Sequence, residues 1–131
     1  MKRVLVDTNV IIDYLRRKDK ANSLFFQVFS LKDYIAVVSL TTITELWAGR
    51  SMTKQSTLKK VKKIIDNCEI TLPSLEIAKQ TGRILRQTNY QISFQDAQIA
   101  ALTLENKFPL LTLDQKDFRK IKRIKFFKLN D

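Results

Sequence analysis

Short apolar runs alternate along this chain with longer stretches in which apolar residues recur every three or four positions. The first run, Val4-Leu5-Val6, stops at Asp7, and Val10, Ile11, Tyr14 and Leu15 then follow at helical spacing. A β-branched run bounded by a polar turn reads as a buried parallel strand, here residues 3–6, followed by a helix to about Arg17. Lys18-Asp19-Lys20 breaks that helix, and Leu24, Phe25, Val28, Phe29 and Leu31 form a second apolar helical face. Tyr34-Ile35-Ala36-Val37-Val38 reads as the next strand, so the first crossover is long and helical, as a parallel pair requires. A short helix from Thr41 or Thr42 to Gly49 carries Ile43, Leu46 and Trp47. A longer one turns Leu58, Val61, Ile64 and Ile65 to one side and Lys54, Lys59, Lys60, Lys62 and Lys63 to the others.

The second half continues the alternation. Ile70 and Leu72 make a short strand ending at Pro73, and Ser74 opens a helix with Ile77, Ala78, Thr81, Ile84 and Leu85 inward. Ser93 starts another helix that runs to about Asn106. Residues 109–113 read as a strand ending at Asp114, with a short helix around 116–120 and a last strand near 124–127. No repeat, low-complexity tract or linker interrupts residues 1–131, which predicts a single α/β domain: one parallel sheet covered by helices on both faces, in three α/β/α layers.

A chain of 131 residues is long enough to bury one core without disulfides or a structural metal. The lone Cys68 has no partner for a disulfide and no cysteine cluster suggests zinc, so a reducing cytoplasm is the simplest compartment. The apolar run after Met1-Lys2-Arg3 is interrupted by Asp7 and Asp13, which argues against a signal peptide, and nothing approaches a membrane span. The net charge of +11 favours polyanionic partners such as nucleic acid or an acidic protein.

Absences narrow the chemistry further. With no histidine, imidazole acid–base catalysis and histidine-ligated metals are excluded. Glycine occurs only at Gly49 and Gly82, so neither a dinucleotide-binding loop nor a P-loop exists. Carboxylates remain. Asp7 and Asp114 each follow an apolar strand, Glu45 lies on the helix after the second strand, and Asp96 lies in the first turn of the helix before the Asp114 strand. Each has a plain structural alternative: Thr42–Glu45 and Ser93–Asp96 both match a capping box, and Asp7 and Asp114 suit helix N-caps. Caps have no reason to share one sheet edge, whereas a site for a hard divalent cation does. Such a site in a basic protein points to phosphodiester cleavage, with one or two ions.

Four stretches then resemble the PIN domains, and within them the VapC-like toxin ribonucleases of toxin–antitoxin systems: Leu5-Val6-Asp7-Thr8-Asn9-Val10-Ile11-Ile12, Ile43-Thr44-Glu45-Leu46-Trp47-Ala48-Gly49, Asp96-Ala97-Gln98-Ile99-Ala100-Ala101 and Leu111-Thr112-Leu113-Asp114-Gln115-Lys116-Asp117-Phe118. The resemblance covers essentially the whole chain. It implies a parallel five-stranded sheet of order 3-2-1-4-5, Mg²⁺ or Mn²⁺ at the acids, and cleavage of single-stranded or structured RNA. Asp7 and Asp96 match the main metal ligands, while Glu45 and Asp114 complete the acidic quartet, with Asp117 close enough to compete for the fourth place. Asn9 and Thr112 resemble the polar helpers that order such a site. The resemblance also implies a homodimer through Trp47 and the 54–65 helix, and a small acidic antitoxin. Two rivals are weighed against it. A haloacid-dehalogenase-like phosphatase needs a second acid where Asn9 stands, and a non-catalytic RNA- or protein-binding module has no need of the acids.

The remaining basic residues crowd the end of the chain: Lys116, Arg119, Lys120, Lys122, Arg123, Lys125 and Lys128. They read either as lysines guarding an exposed strand edge or as a phosphate track beside the acidic pocket. Phe25 and Phe29, at helical spacing, read as core rather than base-stacking residues.

Overall fold

The computed structural model describes residues 1–30 and 32–129; Leu31, expected on the second helical face, lies outside them. Strands β1 (Lys2–Val6), β2 (Tyr34–Ser39), β3 (Glu69–Thr71) and β4 (Leu110–Leu111) form one parallel sheet of order β3-β2-β1-β4. Between them run α1 (Thr8–Arg16), α2 (Leu24–Phe29), α3 (Leu40–Trp47), α4 (Gln55–Asp66), α5 (Leu75–Gln87) and α6 (Phe94–Asn106).

Period-two alternation sends side chains to both faces of the sheet. Val4, Val6, Ala36 and Val38 pack with Val10, Ile11, Val28, Leu46, Val61 and Ile64 on one side. Leu5, Val37 and Leu110 pack with residues of α5 and α6 on the other. Each fully buried Val, Leu or Ile contributes roughly 1.5–3 kcal/mol of transfer free energy, so the central strand and its two neighbours dominate the fold. On α6 the small residues Ala97, Ala100 and Ala101 are fully buried, which lets that helix lie close against the sheet. Phe25 stacks between Tyr14 and Phe29 at ring separations of 5.3 and 5.0 Å, on the margin of the core as expected. Ala78, expected inward on α5, is exposed.

The expected fifth strand is the main correction. Instead of a strand over 124–127 there is a single parallel bridge, Leu110 to Phe126, held by Leu110 N–H to the Lys125 carbonyl and Phe127 N–H to the Leu110 carbonyl, both at 2.8 Å. β4 is itself only two residues long, so it offers little edge to pair with. Pro109 has no N–H to donate, and after Leu111 the chain turns into a polar loop. The expected helix around 116–120 is a short 3-10 helix, Phe118–Lys120. Among the described residues no helix is long and apolar enough to cross a membrane.

Candidate active site

The register of the sheet determines which polar residues meet. Val6 pairs with Leu111, and Asp7 N–H donates to the Leu111 carbonyl at 2.9 Å. The residues that follow the two strands, Asp7 and Thr112, therefore leave the carboxyl edge side by side. Both oxygens of Asp7 are held: Thr8 N–H donates to Oδ1 and Thr112 Oγ1 to Oδ2, each at 2.8 Å. Asp7, a candidate site acid, is thus the N-cap of α1. It is only 7% exposed, and burial pushes its carboxyl above the usual range despite the two donors; the Glu45 and Asp114 charges add to the shift.

Asn9 locks the same corner. Its Nδ2 donates to Thr112 Oγ1 at 3.3 Å and its Oδ1 accepts from Leu113 N–H at 3.2 Å. Thr112 Oγ1 also accepts from Asp114 N–H at 3.1 Å, and Asp114 Oδ1 accepts from Lys116 N–H at 3.2 Å. The loop after β4 is therefore tied to the start of α1 by side chains.

Glu45 does not serve as a capping residue. The N-cap of α3 is Ser39, whose hydroxyl accepts from Thr42 N–H at 3.0 Å, which puts Thr42 inside the first turn of the helix and Glu45 in the turn after it. Glu45 Oε1 instead accepts from Thr8 Oγ1 at 2.8 Å, across from α3 to α1, with Thr42 Oγ1 3.0 Å from the same hydroxyl. Thr8 and Thr42 are the site-building residues that the sequence reading passed over, since a threonine beside an acid carries no distinctive spacing. On α6, Ser93 is the cap and accepts from Asp96 N–H at 3.0 Å. Gln98 on the same helix is hydrogen-bonded to Thr41, tying α6 to α3.

Asp96 carries the largest carboxylate perturbation. Burial, followed by the charges of Asp7, Asp117, Asp114 and Glu45, pushes its carboxyl up to about 6. Asp96 therefore lies within electrostatic reach of the other four acids. Asp117 acts on Asp96 more strongly than Asp114 does, although Asp117 also pairs with Lys120 at 3.3 Å. Among the described residues no three acids are close enough to make a ready cage for an ion. The donor set nevertheless fits a hard cation that keeps most of its water: it is all oxygen, and among the described residues Asp117, paired with Lys120, is the one of these acids in an ion pair.

A pH prediction follows for the metal-free protein. Asp96 has a folded value raised from 3.8 to about 6, so its contribution favours the fold at low pH and is lost as pH rises through that window. Asp96→Asn is therefore expected to stabilise the metal-free protein at pH 7.5, by about 1 kcal/mol after allowing for solvent screening, and to change little near pH 4. Thermal denaturation in EDTA at both pH values measures this; an equal shift at both would remove the electrostatic explanation.

No curated protein sequence matches the chain. Solved structures do. VapBC from Salmonella typhimurium bound to DNA is similar over 98% of this chain and 99% of that one, with 22% identity and a TM-score of 0.83. VapBC2 from Rickettsia felis, bound to a DNA fragment from its promoter, covers 95% and 97% at 20% identity and a TM-score of 0.77. VapBC-1 from nontypeable Haemophilus influenzae covers 98% and 99% at 19% identity and a TM-score of 0.76. At such identities the likeness is one of fold. The sequence itself matches the model of the PIN domain over residues 4–124, a span that includes every junction bearing one of these acids, and the chain belongs to the PIN domain family.

Proposed function

We propose that this protein is a divalent-metal-dependent endoribonuclease that acts in the cytoplasm as the toxin of a toxin–antitoxin pair. The observation that carries the reading is the hydrogen-bonded corner that joins Asp7 to Thr112, Thr112 to Asp114 and Thr8 to Glu45, within electrostatic reach of Asp96, in a protein of net charge +11. Asp7 and Asp96 would hold Mg²⁺ or Mn²⁺, with Glu45 and either Asp114 or Asp117 completing the set. A bound divalent cation supplies a lowered water pKa and neutralises charge on the phosphate. The chain's own residues supply position. Thr112 and the Thr8 N–H orient both oxygens of Asp7, Asn9 orients Thr112, and Thr8 draws Glu45 toward the same corner. The N-terminus of α1, adjacent to Asp7, presents the positive end of a helix dipole to developing negative charge. The basic body offsets the repulsion between acidic pocket and RNA.

Incubation with several RNAs plus Mg²⁺ or Mn²⁺ tests the chemistry. Cleavage is expected, and no cleavage of any RNA with either metal would favour a non-catalytic RNA- or protein-binding module instead.

The partner reading draws support from the VapBC structures of similar fold and from the excess of positive charge. A small acidic antitoxin would pair with the lysine-rich faces, and a cationic side chain from it could enter the carboxylate pocket and compete with the metal. Trp47, on α3, is 42% exposed and would face a second copy of this chain. Expression alone is expected to arrest growth, whereas co-expression with the neighbouring reading frame restores it and yields a complex containing paired copies by light scattering. Equal growth without a co-purifying small protein would favour a PIN nuclease that is not a toxin, and a monomeric chain at high micromolar concentration would remove the pairing through Trp47.

A further inference from the structure

A cleft of about 1280 Å³ lies apart from the carboxylate corner, between the C-terminal halves of α5 and α6 and the segment that follows the 3-10 helix. Its rim carries Lys107, Lys120, Lys122, Arg123 and Lys125 against one acid, Glu105. Among the described residues, Lys107, Lys122, Arg123 and Lys125 form no ion pair. The floor is partly apolar, with Ile84, Phe108 and Ile121, so the cations stand around a concave surface and not on a convex one. A concave surface lined by one sign of charge focuses the field on whatever enters it.

Lys107 and Arg123 both have positive φ, 58° and 70°. Glycine or asparagine occupies that backbone region at lower cost, yet the chain places a long cationic side chain at each. The cleft also approaches the acids. Lys120, the last residue of the 3-10 helix, lines the cleft and is paired at 3.3 Å with Asp117, the residue before that helix, whose charge reaches Asp96. Thr103, which lines the cleft, lies seven residues after Asp96 on nearly the same face of α6, about 10 Å along its axis.

We propose that this cleft binds the phosphate backbone of single-stranded RNA, holding the strand to one side of the carboxylate corner. The choice of RNA as the polyanion rests on the ribonuclease reading; the cationic cleft does not. Spaced cations in a groove suit a chain of evenly spaced phosphates, each of which releases counterions on binding.

The test uses the full chain in EDTA and a fluorescently labelled short single-stranded RNA, with anisotropy titrations over a range of salt. Lys122→Gln, Arg123→Gln and Lys125→Gln together are compared with Arg16→Gln, Lys18→Gln and Lys32→Gln, which remove the same charge from the α1–α2 end. The cleft variant is expected to bind roughly tenfold or more weakly at low salt, with the slope of log K against log salt reduced by about 2, while the control loses much less. Equal losses in the two variants would reduce the effect to net charge and overturn the proposal. So would an unchanged affinity in the cleft variant, or a loss of affinity for polyglutamate with none for RNA, which would assign the cleft to an acidic protein. A wild-type chain that binds through the cleft but cuts no RNA with Mg²⁺ or Mn²⁺ would uphold the cleft and overturn the nuclease reading alone.

Discussion

Asp7→Asn is expected to lower metal-dependent RNA cleavage by roughly 100-fold or more while the protein stays folded. The magnitude follows from the position: loss of a partner that merely orients a ligand costs about 10–100-fold in metal affinity or activity, and loss of the ligand's own charge costs at least that. The fold survives because the substitution changes little around it. Asparagine keeps one oxygen to accept from Thr8 N–H; its amide meets a Thr112 Oγ1 that already accepts from Asn9 Nδ2 and Asp114 N–H, so the bond to Thr112 is lost, while the Thr112 hydroxyl has the Asp114 carbonyl 3.4 Å away as another acceptor. One lost hydrogen bond costs about 1 kcal/mol, and removing a buried carboxylate crowded by Glu45 and Asp114 returns some of it. Cleavage assays with Mg²⁺ and Mn²⁺, run beside thermal denaturation of both proteins, measure the two effects separately. Full activity in the Asn variant would sink the assignment of Asp7.

Phe118→Ala should give the largest loss of stability of any single core truncation near the site, about 3–5 kcal/mol. Phe118 is 1% exposed and heads the fully buried side chains by volume; it packs in the cluster formed with α5, α6 and Leu5. It is also the anchor of the segment that carries Asp114 and Asp117 on one side and the cationic cleft on the other, because the 3-10 helix starts at Phe118 and the loop before it has no regular structure to hold it. Without the ring, Asp117 loses its anchor and Asp114 keeps only its hydrogen bonds to Thr112 and Lys116. Activity is therefore expected to fall further than the unfolded fraction explains, even well below the melting temperature, whereas Phe118→Leu keeps most of both. Urea denaturation gives the stability change; a midpoint within experimental error of wild type would show that the ring is not what holds this segment.

The alternation of buried runs and amphipathic stretches was enough to locate β1, β2 and the helices, because burial leaves a period of two or of about 3.6 in the chain. It failed where burial is one-sided and short. The last run, Ile124 to Phe127, carries the composition of a strand, but the strand it meets, β4, is two residues long, and a single bridge results. Local chemistry was similarly legible at Ser93, whose cap on α6 follows directly from its spacing to Asp96. It misread Thr42 to Glu45, because Ser39 at the end of β2 offered an earlier cap and started α3 ahead of it.

By itself, then, the sequence determined the α/β class and the junctions after β1 and β4, and named the candidate acids, all of which depend on residues close together in the chain. The tertiary structure decided which of those acids meet. Asp7 touches Thr112, 105 positions away, only because β1 pairs with β4; Thr8 reaches Glu45, 37 positions away, only because α1 and α3 pack together. The sequence offered the basic residues near the end of the chain as a phosphate track, but not the cleft behind α6, since Lys107 and Lys120 to Lys125 become neighbours only when the chain returns along β4. Strand pairing and helix packing are cooperative properties of the whole core, and no local pattern of charges or apolar residues specifies them in advance.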